Sequence, residues 1–196
     1  RFSQWLVRLI FSLIWAIFWR SAVILVLIFC VAVTFFALNL PDAKTLLDGR
    51  ARGSVTMLDR NGEVFAWRGE QFGGAADAGS VSQTLKDAII ATEDKRFFRH
   101  FGISPRGIAS AIKINLREGR SALSGHGGST ITQQTAKLLC LGNPYDPNRW
   151  PSEKAYETEC RAGSLWRKVK EGLYAIAMEA RYSKHEILTI YINRAF

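Results

Sequence analysis

The sequence predicts a mainly α protein: an N-terminal membrane-crossing helix, a short β-hairpin, then a helical domain. Three observations carry that expectation. Residues 21–40, SAVILVLIFCVAVTFFALNL, hold 20 residues without a charge. One Asn-Gly pair separates two β-prone runs in SVTMLDRNGEVFAW, residues 54–67. From Val81 onward, apolar residues recur at helical spacing between capping and glycine-rich signals.

The chain has 196 residues, of which 48% are hydrophobic and 22% charged, enough apolar matter to bury a core and unlike a disordered chain. Its 26 Lys+Arg against 17 Asp+Glu give a formal charge of +9. That surplus suits a polyanionic partner: nucleic acid, an anionic membrane surface or a phosphorylated substrate. The first residue is Arg1 rather than Met, so further residues are expected upstream.

The 21–40 run spans roughly 30 Å at about 1.5 Å per residue, the thickness of a bilayer core. A buried helix of a soluble protein seldom runs so long without a polar face. Residues 1–20 are also apolar, but Arg8 and Arg20 interrupt them and Trp5, Trp15 and Trp19 suit an interface. They read as a cytoplasmic or interfacial approach helix, or as an extension of the span. Arg1, Arg8 and Arg20 have no acidic neighbours, which puts the N-terminus in the cytoplasm and everything after Pro41 outside. No small-residue cleavage site follows, so an uncleaved signal anchor is expected.

Residues 41–80 form a connector. Pro41 to Gly53 carries mixed charge, the hairpin follows with a tight turn at Asn61-Gly62, and 72–80 reads as a linker. From 81 to 196 the pattern is helical. One helix starts at a Ser82 cap and runs through VSQTLKDAIIATEDKRFF to end near Phe101-Gly102. A second, roughly 105–117, opens at Pro105. A basic glycine-rich loop, REGRSALSGHGG, leads into a helix in STITQQTAKLL. Cys140 and Cys160 bracket a loop-like insert with three prolines. Two more helices follow, SLWRKVKEGLYAIAMEARY and SKHEILTIYINRAF, the last with a capping box from Ser183 to Glu186.

The polar residues gather in four places. Glu93, Phe97 and His100 fall at i, i+4 and i+7, one face of the expected helix. A carboxylate beside a ring and away from water has a raised pKa, fit for acid–base work. A solvated glutamate in an acidic–basic helix end explains the same spacing. Ser129, Thr130 and Thr132 follow a glycine pair at a helix start, where free N–H groups favour an anion; an ordinary N-cap is the alternative. Glu171 lies one turn from Arg167 and three residues from Lys168, which an ordinary surface ion pair also explains. Lys184, Ile187, Leu188 and Tyr191 share a face of the last helix. In an oxidising compartment Cys140 and Cys160 would close their loop as a disulfide; two thiols is the other possibility. No second Cys or His stands at ligand spacing from either, so no metal site is expected there.

In order, ATEDKRFFRHFG, GGSTITQQTAK, RKVKE and SKHEILTIYIN resemble the motifs of the family 51 peptidoglycan glycosyltransferases, found in class A penicillin-binding proteins and monofunctional transglycosylases. The likeness runs from Val81 to Phe196, and the anchor with its hairpin looks more like the class A, bifunctional form. It implies a lysozyme-like glycosyltransferase domain, truncated here, because the family's closing motif and helices would lie beyond Phe196. It implies that lipid II and the growing glycan strand are joined by an inverting β-1,4 transfer, with polyprenyl pyrophosphate leaving.

By the same resemblance Glu93 is the general base toward the acceptor hydroxyl, with Asp94 supporting it and Phe97 and His100 completing the motif. Gly128, Ser129, Thr130, Gln133 and Gln134 would line the cleft. Arg167 and Lys168 would hold the pyrophosphate, with Glu171 as the second carboxylate, orienting those cations or a divalent metal (Mg or Mn). Lys184 would face the pyrophosphate too, with Tyr191 and Asn193 shaping the site. Ser104 and Thr135 depart from the family's common Asp and Leu, and the insert is longer than many members carry. The implied setting is the bacterial inner membrane, with the domain on the outer side and other cell-wall synthesis proteins as partners. Two rivals remain: a membrane-anchored lysozyme-like hydrolase, which leaves Arg167, Lys168 and Lys184 idle, and a non-catalytic scaffold. A nucleic-acid-binding module accounts for the charge but not the span, and is set aside.

Overall fold

The computed structural model describes residues 2–47, 55–68, 76–122, 124–125 and 127–195. The rest of the 41–53 connector and of the 72–80 linker, Ser54 of the hairpin, and two residues of the glycine-rich loop lie outside these. The fold is mainly α, as expected, with one two-stranded sheet.

Helix α1 (Phe2–Asn39) runs 38 residues without interruption, since no Gly or Pro breaks it before Pro41. Residues 1–20 read as an approach helix or an extension of the span; the helix continues through Arg20 without a break. Its stretch long and apolar enough to cross a membrane is Ile10–Asn39. A short α2 (Ala43–Leu47) follows. Strands β1 (Val55–Leu58) and β2 (Val64–Arg68) pair antiparallel, Val55 with Arg68 and Leu58 with Val64, with an irregularity after Met57.

The turn differs from the expected Asn-Gly pair. Asp59 and Glu63 close the loop, and Asp59 Oδ1 accepts from the backbone N–H of both Asn61 and Glu63 at 2.8 Å. Only Gly62 takes positive φ, at 84°, so the loop is a longer one with its glycine at the left-handed position.

The helical domain comprises α3 (Gln83–Glu93), a 3-10 turn (Phe97–Arg99), α4 (Pro105–Arg117), α5 (Ile131–Leu138), α6 (Glu153–Cys160), α7 (Leu165–Arg181) and α8 (Lys184–Ala195). Six of these starts carry a hydroxyl cap: Ser82, Ser104, Thr130, Ser152, Ser164 and Ser183 each accept a backbone N–H of the first turn. Ser104 thus caps α4. Ser183 and Glu186 form the expected capping box at α8.

Two elements depart from the sequence reading. The helix expected to reach Phe101 stops at Glu93, capped by Asp94, so Glu93, Phe97 and His100 do not share a helical face. The side chain of Asp94 is engaged elsewhere in the fold, and the chain turns there. The insert, expected as loop, contains α6 and a small core of its own. Trp150 is buried against Tyr145 and Tyr156, and its Nε1 donates to Glu159 at 2.6 Å.

Helix α5 packs on both α7 and α8, and their contact is the centre of the core, with Phe97, Ile131, Met178, Ile187 and Ile190 fully buried. The outer end of α1 joins it. Leu40 is buried, and the Phe36 and Tyr174 rings stand 4.7 Å apart. Tyr182 Oη donates to the Pro41 carbonyl, and Arg181 pairs with Asp42 at 3.0 Å.

Candidate active site

The polar octet GGSTITQQ divides between architecture and cleft. Thr130 is buried and caps α5: its Oγ accepts from Gln133 N at 3.1 Å while Gln133 Oε1 accepts from Thr130 N at 3.0 Å. Thr130 also donates to the Gly102 carbonyl at 2.6 Å, and Thr132 donates to Glu179 at 2.6 Å. The helix start is not open to an external anion. Ile131 N donates to Asp94 Oδ2 at 3.1 Å, so a carboxylate of the protein already sits there. Of the two readings of this helix start, an anion site and an ordinary N-cap, the geometry shows the N-cap.

Asp94 is buried, and the same Oδ2 lies 2.9 Å from His100 Nε2. It thus joins the end of α3, the turn after the 3-10 segment and the start of α5. Phe97 is fully buried, with Lys184 Nζ 4.5 Å from its ring centroid. Lys184 also donates to the His100 carbonyl at 2.8 Å and pairs with Glu179 at 2.6 Å. Asn193 clasps the backbone of Ala76, donating to its carbonyl at 2.7 Å and accepting its N–H at 2.8 Å. Phe97, His100, Lys184 and Asn193 support the site from within the fold, whereas Asp94, Thr130 and Gln133, though buried, also form part of the cavity walls.

What remains faces solvent in two adjoining cavities. One, of about 430 Å³, is lined by Glu93, Arg96, Gly107, Gly128 and Ser129 among others. The second, of about 340 Å³, is lined by Ser129, Gln133, Gln134, Lys168, Glu171 and Tyr191, with Lys137 among the others. Ser129 lines both. Gly128 brings the loop onto α4 so closely that a Cβ there would stand 2.7 Å from Ile108 Cα.

Glu93 closes α3 at the cavity mouth. Its carboxylate is exposed rather than sheltered against Phe97, and it accepts from Gln134 Nε2 at 2.9 Å. Tyr191 Oη donates to Gln134 Oε1 at 3.4 Å; burial first, and then the Glu93 charge, push this phenol above its ordinary value. On the far side Glu171 is buried. One oxygen accepts from Arg167 Nη1, the other lies 3.1 Å from Lys168 Nζ, and Lys168 reaches Ser129 Oγ at 2.8 Å. Burial, followed by repulsion from Arg167 and Lys137, pushes the Lys168 ammonium below its usual value even with Glu171 nearby.

The cations therefore fall into two groups: Arg167 and Lys168 share Glu171, while Lys184 belongs to Glu179. A resident divalent ion does not fit at Glu171, because both oxygens are held by cations. No group of three His, Cys, Asp or Glu side chains converges among the described residues. Lys137 and Arg96 were not anticipated. Lys137 was legible, since it follows Gln133 and Gln134 by four and three residues on one face of α5. Cys140 and Cys160 are bridged, with Cα atoms 5.8 Å apart.

The family model described as Transglycosylase matches residues 61–196. Penicillin-binding protein 1A/1B of Bacillus subtilis is 35% identical over 167 residues, 84% of this chain and 16% of that protein. Penicillin-binding protein 1A of Aquifex aeolicus is 34% identical over 158 residues, 81% of this chain and 19% of that protein. The protein of that name from Escherichia coli is 34% identical, covering 81% and 16%. The chain thus spans less than a fifth of the length of these relatives.

Proposed function

The chain belongs to the transglycosylase family of class A penicillin-binding proteins, and from that membership we propose that it polymerises lipid II into glycan strands. The observation that supports this best is the paired cavity. Glu93 opens onto one side and Lys168 with Glu171 onto the other, with Ser129 between them.

An inverting transfer needs a base at the attacking hydroxyl and stabilised charge at the departing group, set apart by the width of the reacting sugar. Glu93 takes the proton from the acceptor 4-hydroxyl, held toward it by Gln134. The acceptor oxygen bonds to the anomeric carbon as the bond to the diphosphate oxygen breaks. Lys168 and Arg167 receive the charge on that oxygen, preorganised by Glu171. A sugar filling the cleft excludes the water that now reaches Glu93, which favours its action as a base. Any divalent cation would accompany the diphosphate, and no step here passes through one. Arg1, Arg8 and Arg20 at the start of the chain support an N-terminus in the cytoplasm and the domain outside, where a lipid-linked anion is presented. A hydrolase would leave the Lys168–Ser129 contact without a task.

The test is the protein in liposomes with lipid II, and separately with finished glycan. Strand growth is expected, falling by about 10²–10⁴-fold in Glu93→Gln. Shortening of finished glycan with no growth from lipid II would overturn the reading.

A further inference from the structure

The insert closed by Cys140 and Cys160 has no part in the transfer described above, yet it holds one end of Arg167. Helix α6 finishes at Cys160, which the disulfide ties to Cys140 just beyond α5. The next residue, Arg161, donates Nη2 to the Leu138 carbonyl at 3.1 Å and pairs with Glu157 at 3.1 Å, so the insert's end is fastened to α5 a second time. Ala162 then offers its carbonyl to Arg167 Nε at 2.7 Å.

From Arg167 the contacts lead into the cleft. Its Nη1 donates to Glu171, Glu171 meets Lys168, and Lys168 reaches Ser129. Cys140, Cys160, Arg167 and Glu171 also line one cavity of about 30 Å³, room for about one water. The disulfide is thus an immediate neighbour of the Arg167–Glu171 pair.

We propose that the Cys140–Cys160 disulfide is a positioning element for Arg167: by fixing the Ala162 carbonyl, it sets the angle at which the guanidinium meets Glu171 and the departing diphosphate. This rests on the transfer reading given above. A long side chain held at Nε by a carbonyl and at Nη1 by a carboxylate has little freedom left. Releasing the carbonyl lets it swing about the carboxylate, and preorganisation is lost.

The test compares the oxidised protein in liposomes, the same protein reduced to two thiols by a phosphine, and the Cys140→Ser/Cys160→Ser variant. Lipid II polymerisation and amide exchange over residues 164–171 are both measured. Loss of the bridge is expected to lower kcat about tenfold or more with KM little changed, and to speed exchange in the first turns of α7. In an Arg167→Lys background, which lacks the Nε–H, removing the bridge is expected to change kcat no further. A full kcat without the bridge, or a loss that multiplies with Arg167→Lys, would overturn the proposal. If the oxidised protein makes no strands, the transfer reading fails, and exchange decides the positioning alone: faster exchange on reduction supports it, unchanged exchange sinks it.

Discussion

A lysine drawn partly out of water, beside Arg167 and within the field of Lys137, holds its proton less firmly than a free one, through burial first and repulsion second, and Lys168 is in that position. Its folded pKa lies below the ordinary 10.5. Between the two values the unfolded chain still binds a proton that the folded chain has released, so stability rises with pH across that window. Function runs the other way, because the charge facing the diphosphate is lost as pH rises through the folded value. The alkaline limb of polymerisation is therefore expected below 10.5, and Lys168→Arg should move it upward, since a guanidinium does not titrate there. A pH–rate profile checks this; an unmoved limb removes Lys168 from the leaving-group side. At this scale the sequence announced residue types well and partners poorly. Thr130 and Gln133 look the same on paper as Ser129 and Gln134. All four line the cavities, but the α5 cap, and the Asp94 carboxylate that occupies it, engage the first pair in the cavity wall and leave the second to meet Lys168 and Glu93.

Elements are placed by close approaches that single residues permit. Gly102 has φ +77°, and a Cβ there would stand 2.7 Å from the Ala175 carbonyl carbon in α7. Gly62 has φ +84° with nothing within 4 Å of the same position. Alanine at Gly62 carries only the left-handed backbone cost, about 1–2 kcal/mol. At Gly102 overpacking adds about 1–3 kcal/mol more, and the shift reaches α5, because Thr130 bonds the Gly102 carbonyl. Denaturant unfolding should rank Gly102→Ala well below Gly62→Ala, with polymerisation lost only in the former. Equal losses would mean that α7 yields at Ala175. The helices were legible wherever period and cap agreed, as in α4, α7 and α8. The end of α3 was not, because Phe97 continues the apolar spacing while a distant partner, Ile131 N–H, draws Asp94 out of helix. The prolines of the insert, in turn, hid α6 and its Ser152 cap.

For the whole molecule the open matter is how firmly anchor and domain are joined. Tyr174 meets Phe36 with tilted rings, and one helical stretch later Tyr182 reaches Pro41 and Arg181 reaches Asp42. Helices α1 and α7 therefore advance in the same direction along their contact. Val33, Phe36, Ala37 and Leu40 are covered in part or wholly, whereas Val31, Phe35 and Leu38 stand open. Hydropathy cannot show this, since a lipid tail and a protein core reward the same side chains. The outer turns of α1 thus have one face for the domain and another for lipid, and the cleft is held at a fixed height instead of hanging on a tether. In a Cys30→Ser background, needed because Cys30 is itself exposed, single cysteines at Val31 and Leu38 should react readily with a membrane-soluble maleimide. Those at Val33 and Ala37 should react far more slowly. Phe36→Ala, which removes a half-buried ring worth about 2 kcal/mol of packing, should raise labelling at Ala37→Cys toward that at Leu38→Cys while leaving the latter unchanged. Equal labelling around the helix before that change would mean that α1 parts from α7 in the bilayer, and the fixed height of the cleft would go with it.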